Sequence, residues 1–354
     1  MESVETLQVT TKKVDIFSDE YTKYLYSLTP SERNKEFISN FPNLNVLDIP
    51  DHGVPRIGKA TKEYPNPKDW VNVDALPPRD ENLSLQDYEK LVPNFNDPYP
   101  NNVVEHEGIL VIRDDLIPGN LGSKARYAEA LLSTVKERYL FYAMVPHGQA
   151  LKVLSSIAKK YNKIVVAIAP LRNEPTEGHL EAMEHGAIMM YYQTGGMAGA
   201  RKRCRDFIVE QLGGNGLYVP AGVKHPLIIA GFAKSCEAIN AVYKPDVVFS
   251  VASTMVMSHG IQLGFPQAEI YAIQVAGNSA SQKWPGRAKI INHPQKFEEE
   301  CPKDKMPPFN SISTYDSKGW AYALEYKKAN PDKVVMFWNV AGESNREDVK
   351  HAAP

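Results

Sequence analysis

The stretch that decides the fold is GILVIRDDLIPGNLGSKARYAEALL, residues 108–132. Its first part is a continuous apolar run that ends in charged turn residues, as is typical of a strand buried on both faces. Its last part has the composition of a helix, and Lys124 lies where that helix starts. The positive end of a helix dipole and burial behind packed strands both lower the pKa of a lysine. Because most lysines at helix starts are solvated charges, Lys124 alone does not establish a site.

The composition predicts a soluble two-domain protein. The chain has 354 residues, of which 43% are hydrophobic and 23% charged, and a single core rarely grows beyond roughly 250–300 residues. The net charge of -2 gives no overall field for nucleic acid or an anionic membrane. The three cysteines have no paired spacing, which predicts neither a disulfide framework nor a zinc site. Without a signal peptide or a long apolar run, we expect a cytoplasmic protein that binds no metal and no membrane.

The chain divides into two parts with different patterns. Residues 1–100 are rich in proline and asparagine, which predicts a loosely structured segment that wraps over the core. A helix start in SLTPSERNKEF (residues 27–37) and a short strand in NLNVLDIP (residues 43–50) interrupt it. From residue 108 onward, short apolar runs alternate with amphipathic helices. This alternation predicts an α/β fold of open, twisted, parallel sheets.

Ligands of such sheets bind in the turns that follow the carboxyl ends of strands. Beside Lys124, three further turns carry polar groups: VPHGQALKVL (residues 145–154), SVASTMVMSHG (residues 250–260) and STYDSKGWAYALEY (residues 313–326). They supply an amide, a hydroxyl-lined helix start that suits an anion, and a carboxylate. Each turn alone is explained by an ordinary helix cap. Together with the lysine, they provide the groups needed to hold pyridoxal 5'-phosphate (PLP).

The order of these motifs resembles the fold type II PLP enzymes, the tryptophan synthase β superfamily. The resemblance is greatest to the branch of aminocyclopropane-carboxylate (ACC) deaminase and D-cysteine desulfhydrase, which has the pattern KRDDL…GGNKxRKLE where this chain has IRDDLIPGNLGSKARYAEAL. Further matches are YVPAG (residues 218–222), TYDSKGWAYAL (residues 314–324) and VVMFWNVAG (residues 334–342). The resemblance covers about two-thirds of the chain, residues 105–345. It implies a fold of two open twisted parallel-sheet domains with an N-terminal extension.

The resemblance also implies roles for individual residues. Lys124 falls on the lysine that forms the Schiff base with PLP and then acts as a general base. Asp316 falls on the residue that faces the pyridine nitrogen, and Tyr315 beside it is a candidate acid/base or stacking residue. The remaining implied contacts are with the cofactor for Gln149, Ala252, Ser253 and Thr254, and with the substrate for His147, Gly148 and Tyr315.

The implied domain organisation has three parts. Residues 1–60 would be the N-terminal extension, residues 60–125 and 240–354 the large PLP-binding domain, and residues 126–239 the small domain. The resemblance further implies a homodimer. We therefore expect a homodimeric enzyme whose small-molecule substrate is an amino-acid-like amine.

Three functions remain open at this point. The first is a PLP-dependent lyase that acts through an external aldimine and catalyses deamination or elimination at Cα–Cβ. The turn at Gly148 and Gln149 differs from the Ser-Asn turn that receives the substrate carboxylate in the branch. A second hypothesis is therefore a decarboxylase or rearranging enzyme that acts on an amino-acid group carried by a larger molecule, such as a viral modified nucleotide or DNA base. The third is a non-catalytic protein that keeps the fold for binding.

Overall fold

The structure, a computed structural model, describes residues 14–59, 84–143, 149–194, 196–220, 222–223, 225–276 and 286–343. Its α-helices are α1 (Asp19–Ser27), α2 (Pro30–Ser39), α3 (Leu85–Glu89), α4 (Lys124–Thr134), α5 (Ala150–Ala158), α6 (Glu177–Glu184), α7 (Met197–Glu210), α8 (Pro226–Tyr243), α9 (Val256–Gly264) and α10 (Ser317–Ala329). Its strands are β1 (Val46–Asp48), β2 (Arg56–Ile57), β3 (Val103–His106), β4 (Ile109–Arg113), β5 (Tyr139–Ala143), β6 (Ile164–Pro170), β7 (Ile188–Tyr192), β8 (Leu217–Val219), β9 (Val247–Ala252), β10 (Glu269–Gln274), β11 (Lys289–Asn292) and β12 (Val335–Asn339).

The described strands form two six-stranded sheets. The first has the order β1-β2-β7-β6-β5-β8 and the second has the order β11-β10-β9-β12-β4-β3. Interior neighbours are parallel, and every residue of β5, β7, β9 and β12 is buried. The edge pairs β1–β2 and β3–β4 are antiparallel, so both sheets are mixed. β3 and β4 are joined by Glu107 and Gly108, whose positive φ angles of 51° and 75° suit a tight hairpin turn.

Residues 14–59 of the N-terminal segment form two helices and add two strands to the first sheet, so the prediction of a loosely structured segment is wrong there. β2 pairs in parallel with β7. Phe37 of α2 is fully buried, with its ring centroid 5.5 Å from that of Tyr139 and 6.0 Å from that of Phe207. The buried Arg33 donates hydrogen bonds to the carbonyl oxygens of Leu25, Leu28 and Met183. The proline-rich composition does not predict these contacts of Phe37 and Arg33, because a turn propensity carries no information about tertiary contacts.

The second sheet determines where a ligand can bind. Its order places β9, β12 and β4 side by side, and all three run in the same direction. The segments that follow these strands therefore lie next to one another at one edge: residues 253–255, residues 340–341 and Asp114. This is the edge at which ligands of α/β sheets bind. Within the described ranges, no helix is long and apolar enough to cross a membrane.

Candidate active site

Lys124 is placed by the segment that follows β12. It is the first residue of α4, and Ser123 before it donates a hydrogen bond from its backbone nitrogen to the carbonyl oxygen of Val340 at 2.8 Å. Gly122 permits this approach, because a Cβ atom there would lie 2.5 Å from the same oxygen, and its φ of +65° suits glycine. The chain thus enters α4 directly against the carboxyl end of β12. Lys124 itself is partly buried.

The same segment holds Asp316. This fully buried residue directly precedes α10, and its Oδ2 accepts a hydrogen bond from the backbone nitrogen of Ala341 at 3.2 Å. Its Oδ1 is also buried, and no described residue donates to it. Buried carboxylate oxygens without a donor are rare in folded proteins. Two adjacent residues, Val340 and Ala341, therefore position both Ser123 at the start of α4 and Asp316, whose other oxygen has no donor among the described residues.

Burial moves both groups toward their uncharged forms. It lowers the pKa of Lys124, and the carboxylate of Asp316 acts in the opposite direction with a smaller effect. Burial also raises the pKa of Asp316 well above its ordinary value, against the smaller effects of Lys124 and two backbone N–H groups. The pKa of Tyr315 is raised by burial and by Asp316, so its phenol keeps its proton. A lysine with a lowered pKa supplies the neutral amine that nucleophilic attack on a carbonyl requires.

The raised pKa of Asp316 leads to a prediction about stability. When the pKa of a carboxyl group is higher in the folded than in the unfolded protein, the protein becomes less stable as the pH rises above the unfolded pKa of about 3.9. Asp316→Asn removes this loss, so we expect the cofactor-free variant to unfold at higher urea concentration than the wild type at pH 8. The sign of the gain follows from the raised pKa, and its size is read from the shift of the urea midpoint. The gain should shrink as the pH falls toward about 4, and a gain independent of pH would contradict the assignment.

A buried network that the sequence pattern does not predict fixes the start of α4. Asp114, which follows β4, is fully buried. Its Oδ2 accepts hydrogen bonds from Ser123 Oγ at 2.5 Å and Trp338 Nε1 at 2.9 Å. Its Oδ1 accepts from Arg126 at 2.7 and 3.0 Å, and Arg126 also contacts Asp97 at 2.5 Å. The residues on both sides of Lys124 are thereby tied to the ends of two strands.

The third segment at this edge is an open helix start. Ala252 is the buried last residue of β9, and the partly buried Ser253 and Thr254 follow it. Among the described residues, no side chain caps the start of α9, where the first backbone N–H groups of a helix lack intrahelical partners. Gly222 lies against this turn, because a Cβ atom there would be 2.5 Å from the Thr254 methyl carbon. Two residues with hydroxyl groups, Ser253 and Thr254, thus directly precede the turn into this helix.

The predicted residues have different locations. Lys124, Tyr315 and Asp316 come together at the end of β12, with Ala252, Ser253 and Thr254 after the neighbouring strand. Gln149 is exposed just before α5, in the helical layer of the first sheet. His147 and Gly148 lie outside the described residues. The contacts predicted for all of these with cofactor or substrate stay predictions. In the part of the chain that is described, no group of three or more histidine, cysteine, aspartate or glutamate side chains is arranged to bind a metal.

Solved structures of low sequence identity share this architecture. One is an ACC deaminase homologue, with a TM-score of 0.59 and 14% identity over 74% of this chain and 98% of that one. A second is threonine deaminase isoform 2 from Solanum lycopersicum, with a TM-score of 0.56 and 14% identity over 76% of this chain and 87% of the enzyme. A third is cysteine synthase from Entamoeba histolytica, with a TM-score of 0.56 and 13% identity over 83% of this chain and 93% of the enzyme. The predicted fold, fold type II, is thereby confirmed.

The likeness to known proteins is not detectable by sequence. No protein-family model matches the chain, and no curated protein matches it. At 14% identity or less in the structures described above, the likeness is one of fold.

Proposed function

We propose that the protein is a PLP-dependent lyase that acts on the amine of an amino-acid-like substrate. The observation that carries the proposal is the pair Lys124 and Asp316: a lysine with a lowered pKa beside a buried carboxyl group, one oxygen of which has no donor among the described residues. Desolvated lysines and specifically placed carboxyl groups in one cleft are typical of active sites. The pair lies at the strand edge where this fold class binds its ligands.

The residues fit the parts of the cofactor. Lys124 would hold its aldehyde carbon, and Asp316 Oδ1 would bond the protonated ring nitrogen. Ser253, Thr254 and the start of α9 would hold its phosphate. When bound, PLP supplies an electron sink for charge that develops at the substrate's Cα.

The chain's own groups would then act on the substrate. The Lys124 amine would take the proton from Cα, hold it as an ammonium group and return it to the product in a later step. The phenol of Tyr315, which keeps its proton, would donate that proton to a leaving group or stack beside the substrate. The network around Asp114 would keep the Lys124 amine in place by fixing the residues on both sides of it.

We propose that each of the two sheets forms the core of one domain. Residues 60–125 and 240–354 would form the cofactor-binding domain, and residues 126–239 would form a smaller domain that closes over the substrate. The strands β1 and β2 add part of the N-terminal extension to the sheet of this smaller domain.

Two of the solved structures with this fold are named as deaminases or their homologues. Deamination or elimination in a cytoplasmic homodimer is therefore the form of the reaction that we propose.

Absorbance of the purified protein tests the proposal. Adding PLP should produce a band near ~415 nm, as expected for PLP bound to a lysine. A protein that stays colourless with excess PLP would show that the cofactor assignment is wrong. Products from a panel of amino acids then identify the reaction. Ammonia with a keto acid supports deamination, whereas carbon dioxide with an intact amine would replace it by decarboxylation. A band without turnover of any substrate would favour a binding protein.

A further inference from the structure

A buried histidine outside the predicted site has a ring nitrogen without a partner. His225 is 1% exposed and directly precedes α8. Its Nδ1 accepts a hydrogen bond from the backbone nitrogen of Leu227 at 3.1 Å, so Nδ1 carries no proton. Burial lowers the pKa of His225 to about 3, which keeps the ring neutral. The ring proton is therefore on Nε2, which is buried and meets no acceptor among the described residues.

The packing of α8 on α9 locates this donor along the two helices. A Cβ atom at Gly260 of α9 would lie 2.6 Å from the Phe232 ring of α8, and one at Gly264 would meet the Cβ of Cys236. The two contacts advance by one turn in the same direction on both helices, so the helices are parallel. The same offset pairs His225 with Ser253. His225 directly precedes α8 and Ser253 lies in the turn before α9, so this offset places both residues at the same end of the helix pair.

A direct contact also brings the two turns together, independently of the helical register. Gly222 and His225 belong to the same short loop before α8, and Gly222 lies against Thr254 of the turn before α9. Two helix starts thus meet at this point, and each contributes the positive end of a helix dipole. The Nδ1 atom of His225 faces the first turn of α8, so Nε2 on the other side of the ring points away from that turn. A buried N–H group in this position requires an acceptor.

We propose that His225 donates its Nε2–H to the phosphate group of the cofactor, alongside Ser253, Thr254 and the start of α9. The ligand class follows from the surroundings, since a phosphate monoester offers only acceptor oxygens and carries negative charge. The inference rests on the proposed function for the identity of the whole ligand. It adds a phosphate-binding residue from the loop before α8 to those predicted from the loop before α9.

The substitution His225→Asn separates the two roles of the ring. Asparagine is among the best residues at a helix start, so it keeps an acceptor for Leu227 but has no group that reaches as far as Nε2. We expect the dissociation constant of PLP, from absorbance titrations, to rise about tenfold, as for one lost hydrogen bond to a charged group. The dissociation constant of pyridoxal, which lacks the phosphate, should not change.

A matched control comes from a second histidine. The Nε2 of His106 is also buried without a partner among the described residues. His106 pairs with Ile109 at the amino end of β4, at the other edge of the sheet. His106→Asn should leave both dissociation constants unchanged. Equal weakening of PLP and pyridoxal in His225→Asn, or no weakening of either, would overturn the inference.

Inorganic phosphate provides a test without the rest of the cofactor. It should raise the thermal unfolding midpoint of the wild type, because it binds only the folded protein, and raise that of His225→Asn much less. In the wild type it should also shift the proton resonance of Nε2–H, a measurement that needs no variant. An unshifted resonance in a protein that binds PLP would refute the role of His225 alone. A wild type that binds neither PLP nor phosphate would refute the proposed function as well.

Discussion

Lys124→Ala is expected to abolish the PLP absorption band and to lower the rate of the proposed reaction by more than about 10³-fold, because it removes both the nucleophile and the base. The Lys124 amine interacts electrostatically with Asp316, and the alanine side chain supplies neither an amine nor a base in its place. The measurements are the absorbance spectrum with excess PLP and the steady-state rate with the substrate that the panel identifies.

Two further variants make this result specific. Lys124→Arg keeps a positive charge and a long stem but cannot form an imine or lose its proton, so it should behave like Lys124→Ala. Lys163 is a buried lysine whose pKa is also lowered by burial, but it donates to the carbonyl oxygens of Val135 and Glu137 at the amino end of β6. Lys163→Ala should keep the band. Loss of the band in Lys163→Ala, or its retention in Lys124→Arg, would contradict the assignment.

The sequence predicts much of the second sheet because its signals are local. Continuous apolar runs such as residues 247–252 are buried on both faces, and the helix that starts at Lys124 follows from its composition. The N-terminal segment is predicted poorly for the opposite reason. Its order depends on Phe37 and Arg33, whose partners are far away in the sequence. Neither residue differs in local pattern from a residue on a solvated helix.

The site divides in the same way. Lys124 and Asp316 each stand at a helix start, and this position is readable from sequence spacing. Their association through Val340 and Ala341 depends on the order of strands in the sheet. The roles of Asp114 and His225 require knowledge of which buried atoms have partners. Asp114 is among the charged turn residues that end the apolar run, but only its contact with Trp338 shows that it links two strands.

Asp114→Asn is expected to lower the free energy of unfolding by about 3–5 kcal/mol, the usual effect of removing one partner of a buried ion pair. Both oxygens of Asp114 accept from two donors each: Ser123 and Trp338 at Oδ2, and two nitrogens of Arg126 at Oδ1. An asparagine must turn an NH₂ group toward one of these donor pairs. Burial acts to lower the pKa of Arg126, but the carboxylates of Asp114 and Asp97 outweigh it and raise the pKa. Without Asp114, the buried guanidinium keeps one carboxylate instead of two.

Asp316→Asn is the matched comparison, because both aspartates are fully buried and both are replaced by asparagine. The expected changes in the free energy of unfolding have opposite signs. Asp114 has every oxygen paired, whereas Asp316 has one oxygen without a donor among the described residues. Asp48, which is half exposed and pairs with Arg56 at 3.0 Å, provides the control, and Asp48→Asn should change stability by less than about 1 kcal/mol. Urea unfolding of the three cofactor-free variants at pH 8 measures all of these effects. If Asp114→Asn were no less stable than Asp48→Asn, the network would not hold Lys124 in place. If Asp316→Asn destabilised the protein as Asp114→Asn does, Asp316 would be a structural residue and not one that faces a ligand.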